Sequence, residues 1–283
     1  MRSSEFKLWF TPLSGSMKPE STYVIGDIHG RSWLLDQLIA DLPWDIRSDK
    51  IVFLGDLIDR GEDAPGVVER IIELKRNNPN IVVLRGNHEQ MLLDTLEYGD
   101  LQWLIPENGG QATLEAYGND LLELSNVEDI KIPPEHLLFL HSLGHYHEDE
   151  QAIYVHAGLT PGRSPAETAP ETLLWSRNPS FFEHYDGKLC FFGHTPTRFL
   201  PRSGRNRKFG IYIKGSCVGL DTSGEESSPL SCLRVETFTL YQAYRDGLTE
   251  VRRLRELKPD TTAMSQRASD SNVDLADTGS LTP

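Results

Sequence analysis

Three short apolar runs, Thr22–Ile25, Ile51–Leu54 and Ile81–Leu84, alternate with helical patterns, and each ends in a cluster of glycine and polar residues. Four apolar residues bounded by such turns read as a buried strand. Strand–helix alternation of this kind implies right-handed crossovers and a parallel core sheet, hence an α/β fold. The first helix opens at Ser32, with Leu34, Leu35, Leu38, Ile39 and Leu42 on one face and Pro43 just beyond. The second has Pro65 near its start, buries Val67, Val68, Ile71 and Ile72, and ends near Asn77. A short third helix covers Glu89–Leu96.

Open α/β sheets place ligands at the carboxyl ends of their strands. Those ends carry Gly26-Asp27-Ile28-His29-Gly30, Gly55-Asp56-Leu57-Ile58-Asp59-Arg60-Gly61 and Arg85-Gly86-Asn87-His88-Glu89. Two later strand-like runs, Ile153–Val155 and Leu189–Phe192, end in His156-Ala157-Gly158 and Gly193-His194-Thr195. An Asp-Arg pair in one turn is ordinarily a local salt bridge. Five polar clusters, each just beyond its own apolar run, are not explained that way.

Asp27 and His29 lie one residue apart, so an extended strand exit turns both the same way. The two carboxylate oxygens of Asp56 can bridge two cations. Asn87 offers an amide oxygen, and His156 and His194 offer imidazole nitrogens. The donors are oxygen and nitrogen only, which favours manganese, iron or zinc in a catalytic site over a closed structural zinc. Two ions about 3.5–4 Å apart would hold a hydroxide and polarise a phosphoryl oxygen.

The five stretches resemble, in order and wording, the motifs of the phosphoprotein phosphatase branch of the calcineurin-like metallophosphoesterases. The Arg-Gly-Asn-His-Glu box and Leu173-Leu174-Trp175-Ser176-Arg177 are most similar to its bacterial and phage members, such as lambda phosphatase. The resemblance spans about residues 23 to 243. It implies a β-sandwich of two mixed sheets flanked by helices. It also implies two divalent ions, manganese foremost: Asp27, His29 and Asp56 on one, and Asp56, Asn87, His156 and His194 on the other. In-line attack by the bridging hydroxide would hydrolyse a phosphomonoester. His88 would protonate the leaving alkoxide, Asp59 would orient His88, and Arg60 and Arg177 would hold phosphoryl oxygens.

The expected activity is therefore that of a metal-dependent Ser/Thr phosphoprotein phosphatase. A symmetrical diadenosine tetraphosphate hydrolase shares most of the metal motifs. That branch usually lacks an aspartate at the position of Asp59 and has Asp in place of Glu89. A non-catalytic phosphopeptide-binding module is the third reading.

Between about 101 and 147 the pattern turns helical, with Asn108-Gly109-Gly110 before a helix over Ala112–Tyr117 and another over Pro134–Leu143. This reads as an insertion covering one side of the site, with His136, His141, His145 and His147 as exposed residues. Glu89 reads as a structural partner at a helix start. After His194 come four short β-like runs, Gly210–Ile213, Cys217–Leu220, Cys232–Val235 and Thr239–Ala243, expected to form a second, mostly antiparallel sheet. Asp221-Thr222-Ser223-Gly224 is one residue longer than the family's Asp-Thr-Gly turn and is expected to touch no ligand. Arg198, Arg202, Arg205, Arg207 and Lys208 form a basic loop, solvated or steering an anionic substrate.

The phosphatase domain is expected to span residues 21–257. Residues 1–20 read as a poorly ordered lead, and 258–283, rich in Ser, Thr and Asp, as a disordered tail. A net charge of −14 would repel nucleic acid and anionic membrane surfaces, and no apolar stretch approaches a membrane span. Cys190, Cys217 and Cys232 show no metal-type spacing and suggest reduced, buried thiols. A cytoplasmic monomer acting on phosphoproteins or phosphopeptides is the expectation.

Overall fold

The computed structural model describes residues 21–201, 210–247 and 249–254. The expected lead, most of the basic loop (Arg202, Arg205, Arg207, Lys208) and the expected tail lie outside the described residues. Two mixed sheets stack face to face. In the first, β1 (Thr22–Ile25), β2 (Lys50–Phe53) and β3 (Ile81–Val83) pair in parallel. β9 (Leu230–Arg234), β10 (Thr239–Ala243) and β11 (Thr249–Arg253) extend it antiparallel from β1. The second runs β4 (Tyr146–Glu148), β5 (Ile153–Val155), β6 (Cys190–Phe192), β8 (Cys217–Gly219) and β7 (Tyr212–Lys214). Its inner pairs, β5–β6 and β6–β8, are parallel, and its edges are antiparallel.

The two-residue period of a strand sorts side chains into three layers. Val24, Val52, Tyr154, Phe191, Val218 and Leu233 fill the core between the sheets. Their neighbours Tyr23, Ile25, Ile51 and Phe53 point outward, beneath α1 (Ser32–Asp41), α2 (Ala64–Asn77) and α3 (Asn87–Tyr98). Ile153, Val155, Phe192 and Cys217 face the other side, with Leu173 of α6 (Pro170–Trp175) and Phe181 of α7 (Pro179–His184). Both sheets are thus buried on both faces, which is why their strands read as continuous apolar runs.

The strands after His194 do not make a sheet of their own. β7 and β8 join β4–β6, whereas β9–β11 extend the first sheet. Val218 and Leu220 on one side and Leu233 and Leu240 on the other meet in the same inter-sheet core, so the segment must supply both layers. The second sheet is mixed, not mostly antiparallel. Between β3 and β4 lie a 3-10 turn (Leu101–Leu104), α4 (Gly110–Ala116) and α5 (Pro134–His141), packed on α2 and α3. The three cysteines are buried and free. No helix among the described residues is long and apolar enough to cross a membrane.

Candidate active site

The carboxyl ends of β1, β2, β3, β5 and β6 converge, and the five motif loops meet there. Among the described residues six non-glycines adopt positive φ, and five are at this point: His29 (50°), Asp56 (51°), Asp59 (71°), Arg60 (68°) and His194 (62°). Each such residue costs about 1–3 kcal/mol and persists only where its surroundings over-determine it. Here Glu89 supplies much of that determination. Its buried carboxylate accepts the backbone N–H groups of Asp56, Leu57, Ile58 and Gly86 at 2.7–3.3 Å, tying the β2 exit to the start of α3. Burial and the Asp56 charge push Glu89 up to about 7, against the Gly86 and Leu57 N–H groups. The β1 exit is held in turn: Ile28 and His29 N–H donate to the Asp56 carbonyl at 3.0 and 2.9 Å. Gly86 has no room for a side chain, because a Cβ there would lie 2.1 Å from Asp56 Oδ1.

Asp56 is central among the expected ligands. Its Oδ2 lies 3.6 Å from His29 Nε2 and its Oδ1 lies 3.3 Å from His156 Nε2. The donor atoms of His29, Asp56 and His88 all lie within 4.8 Å of one another, as do those of Asp56, His156 and His194. Asn87 Oδ1 sits between the last two histidines, 3.0 Å from His156 Nε2 and 2.8 Å from His194 Nδ1. Asp27 is at the edge. Its carboxylate accepts the His194 N–H at 3.0 Å and belongs to no such trio among the described residues.

These side chains suit a pair of divalent ions. His29 Nδ1 and His156 Nδ1 face the carbonyls of Ile58 (3.0 Å) and Leu54 (2.8 Å). That fixes the tautomer with the proton on Nδ1 and leaves each Nε2 unprotonated on the side where Asp56 lies. Burial, then the Arg60 charge, holds His29 well below the ordinary histidine range. Burial, then His156, takes His194 to about 3. Both are neutral, as ligating imidazoles must be. Burial would raise Asp56, but His156 and then His88, the two foremost of its histidine neighbours, hold it far below the usual carboxylate range. Burial, then Asp221 and Asp56, raises Asp27. Asp221, whose own carboxylate accepts from Ser223, acts on Asp27 through its charge.

His88 differs from the others. Its Nδ1 lies 2.7 Å from Asp59 Oδ2 and its Nε2 lies 3.0 Å from Arg60 Nη2. Burial would lower it, but Asp56 and then Asp59 raise it above the ordinary value. Arg60 also donates to His29 Nε2 at 2.7 Å, and Arg177 Nε donates to His194 Nε2 at 3.3 Å. Both guanidinium groups line a cleft of about 570 Å³ with His194, Thr195, Phe182 and Phe199. A smaller cleft of about 310 Å³, with Trp33 and Glu62 on its walls, meets it at Arg60.

Other sequence readings resolve differently. His136 is buried rather than exposed, held between Tyr117 Oη (2.8 Å) and Glu69 Oε2 (3.1 Å). Arg76 lies 3.9 Å from Glu69 and 3.5 Å from Glu135, so that acidic pair already has a cation. Arg198 packs over the Phe199 ring. Trp103 and Thr113, unassigned from sequence, both reach Asp59.

Fold and side chains together define a two-sheet phosphoesterase class with a histidine–carboxylate centre. The profile of the calcineurin-like phosphoesterase family matches residues 21–198, and the chain belongs to that family. A symmetrical bis(5'-nucleosyl)-tetraphosphatase of Coxiella burnetii is 36% identical over 145 residues, covering 50% of this chain and 43% of that protein. Serine/threonine-protein phosphatase 1 of Salmonella typhimurium is 36% identical over 107 residues, 33% of this chain and 46% of that one. The chain thus spans less than half the length of these curated relatives. A crystal structure described as a putative diadenosine tetraphosphatase superposes with a TM-score of 0.56 at 20% identity, covering 83% of this chain and 95% of that one.

Proposed function

We propose that the chain is a dimetal phosphomonoesterase acting on serine or threonine phosphate in proteins or peptides. Two divalent ions would supply Lewis acidity and an activated water at neutral pH. Asp27, His29 and Asp56 would hold one, and Asp56, Asn87, His156 and His194 the other. Arg60 and Arg177 orient the phosphoryl group and hold its non-bridging oxygens. A water oxygen would bond phosphorus in line with its own proton passing to solvent, the bond to the leaving oxygen would break, and that oxygen would take a proton from His88 Nε2.

One observation carries this reading: the 2.7 Å contact between His88 Nδ1 and the fully buried carboxylate of Asp59. With Nδ1–H donated to Asp59, Nε2 is the nitrogen left facing the open cleft; it accepts from Arg60 Nη2 at 3.0 Å and would exchange that contact for the acid proton once Arg60 turns to the phosphoryl group. An alkoxide leaves badly without a proton, so an oriented acid has work to do there. A nucleoside diphosphate leaves as a stabilised anion and gains less from one.

The second reading is symmetrical cleavage of dinucleoside tetraphosphates. The comparisons favour it: the Coxiella relative carries that activity in its name and aligns over more of this chain than the Salmonella phosphatase does. Measuring kcat/KM for a phosphoserine peptide and for diadenosine tetraphosphate, with Mn, Fe, Zn and Mg in turn, decides between them. The proposal expects the phosphopeptide to be preferred. Preference for the tetraphosphate, with ADP as sole product, establishes the second reading.

A further inference from the structure

The insertion between β3 and β4 does more than cover one side of the site. Trp103, in the 3-10 turn, is fully buried, and its one polar atom needs a partner there. Trp103 Nε1 lies 3.0 Å from Asp59 Oδ1 and 2.9 Å from Oδ2. Thr113, in α4, donates its hydroxyl to Asp59 Oδ1 at 2.7 Å and accepts the backbone N–H of Asp59 at 2.9 Å. One hydroxyl therefore ties the Asp59 side chain to its own backbone, at a residue with φ of 71°. With His88 on Oδ2, both carboxylate oxygens are fully engaged and the plane of the group is fixed.

The backbone of the insertion is shaped for this approach. The Gly109 carbonyl accepts the Arg60 N–H at 3.2 Å, and a Cβ on Gly109 would lie 2.8 Å from Arg60 Cγ. A Cβ on Gly110 would lie 2.5 Å from the Trp103 carbonyl oxygen and 2.6 Å from its indole. Two adjacent glycines let the chain press against Arg60 and Trp103 at once.

We propose that Trp103 and Thr113 are positioning residues for the general acid: by clamping Asp59 they hold the His88 imidazole in line with the leaving oxygen. This rests on His88 acting as the acid. A carboxylate held only by His88 is free to rotate about its Cβ–Cγ bond, and the imidazole rotates with it. Misplaced by a fraction of an ångström, the acid fails first for substrates whose leaving oxygen needs its proton most. A purely architectural role would instead lower stability and slow all substrates alike.

The test uses Trp103→Phe, which keeps the ring and loses the N–H, and Thr113→Val, which keeps the shape and loses the hydroxyl. Thr113→Ser is the conservative rescue and His88→Asn the reference. Each is assayed on a phosphoserine peptide and on aryl phosphates of graded leaving-group acidity, with metal content and melting temperature measured alongside. We expect Trp103→Phe and Thr113→Val to lose about tenfold on phosphoserine, part of the ~10²–10⁴-fold that general acid catalysis is worth. p-Nitrophenyl phosphate should change by less than about twofold, since its leaving group scarcely needs the acid. Thr113→Ser should behave as the parent. Equal losses on all substrates, or a Thr113→Ser variant as impaired as Thr113→Val, overturn the proposal. If His88→Asn shows leaving-group dependence and the two clamp variants do not, the clamp alone falls. If His88→Asn shows none, the acid reading falls and takes the clamp with it. Should Trp103→Phe fail to fold, the Thr113 pair decides.

Discussion

The loops leaving β1, β2 and β3 and the insertion after α3 reach the same two residues, Asp59 and Arg60, in different ways. The loops bring imidazoles, carboxylates and guanidinium groups to one point, with Asp56 3.3 Å from His156 and 3.6 Å from His29. The insertion brings an indole N–H, one hydroxyl and a glycine carbonyl, and all of them act on loop residues. Reactive groups are concentrated in one region, and part of what fixes their direction comes from another. Substitutions of the expected metal ligands should therefore fail on every substrate, and substitutions in the insertion selectively, as His88 itself should.

The largest effect is expected at Asp56. Asp56→Asn removes the anion placed between both histidine sets, so metal content and turnover should fall together. The loss should exceed about 10³-fold, the upper end for a single electrostatic contact. A variant keeping two ions per chain and a near-normal rate would remove Asp56 from the bridging position.

Next comes Glu89→Gln. Four backbone N–H groups converge on its two oxygens, and an amide can serve only one side of that set. Leaving buried donors unpaired costs about 1–3 kcal/mol each. A melting temperature lower by several degrees should accompany a rate loss that is uniform across leaving groups. A selective loss would place Glu89 with the clamp instead.

A smaller effect is expected of Gly110→Ala. The new methyl must displace Trp103, at an overpacking cost of about 1–3 kcal/mol. The variant should reproduce the selectivity of Trp103→Phe, seen as a greater loss on phosphoserine than on p-nitrophenyl phosphate. A uniform loss would make the glycine pair a matter of packing only.

The smallest effect belongs to neither region. Lys50 Nζ on β2 donates to Asp149 Oδ2 at 2.8 Å, joining the two sheets away from the site. Burial would raise Asp149, but the Lys50 bond and the N–H groups of Ala152 and Gln151 hold it below its ordinary 3.8. A depressed carboxylate stabilises the fold above its unfolded pKa and loses that contribution as pH falls through the folded value. The contribution is on the order of 1 kcal/mol for this partly buried pair. Asp149→Asn should therefore melt lower than the parent at pH 7 and converge with it only as pH falls below the ordinary carboxylate range, with rates unchanged. A constant difference across that range would mean that the amide, not the charge, is at fault.

Much of the first region was legible in the sequence because rare residue types stood at the ends of unmistakable apolar runs. Asp27, His29, Asp56, Asn87, His156 and His194 needed no long-range information to be noticed. The strained backbone was signalled only by the flanking glycines, since nothing in a histidine or aspartate advertises positive φ. The insertion was another matter. Trp103 in an apolar stretch reads as core, and Thr113 within a helix reads as filler. Their partner Asp59 lies 44 and 54 residues away, and only the fold closes that distance. The paired glycines were the one available hint. The strands after His194 were found but assigned to a single sheet, because a three- to five-residue run says which faces are apolar and not which strand lies beside it. His136 was misread for the same reason, its surroundings being set by Glu69 of α2 and Tyr117 at the end of α4 rather than by its own helix.

The claim on which both regions depend is that His88 gives its proton to the leaving oxygen. His88→Asn tests it directly, with kcat measured on a phosphoserine peptide and on p-nitrophenyl phosphate at matched metal occupancy. The phosphoserine rate should fall by about 10²–10⁴-fold and the nitrophenyl rate by much less. Equal losses on the two substrates, with both ions retained, would mean that His88 steadies the phosphoryl group and does not protonate what departs.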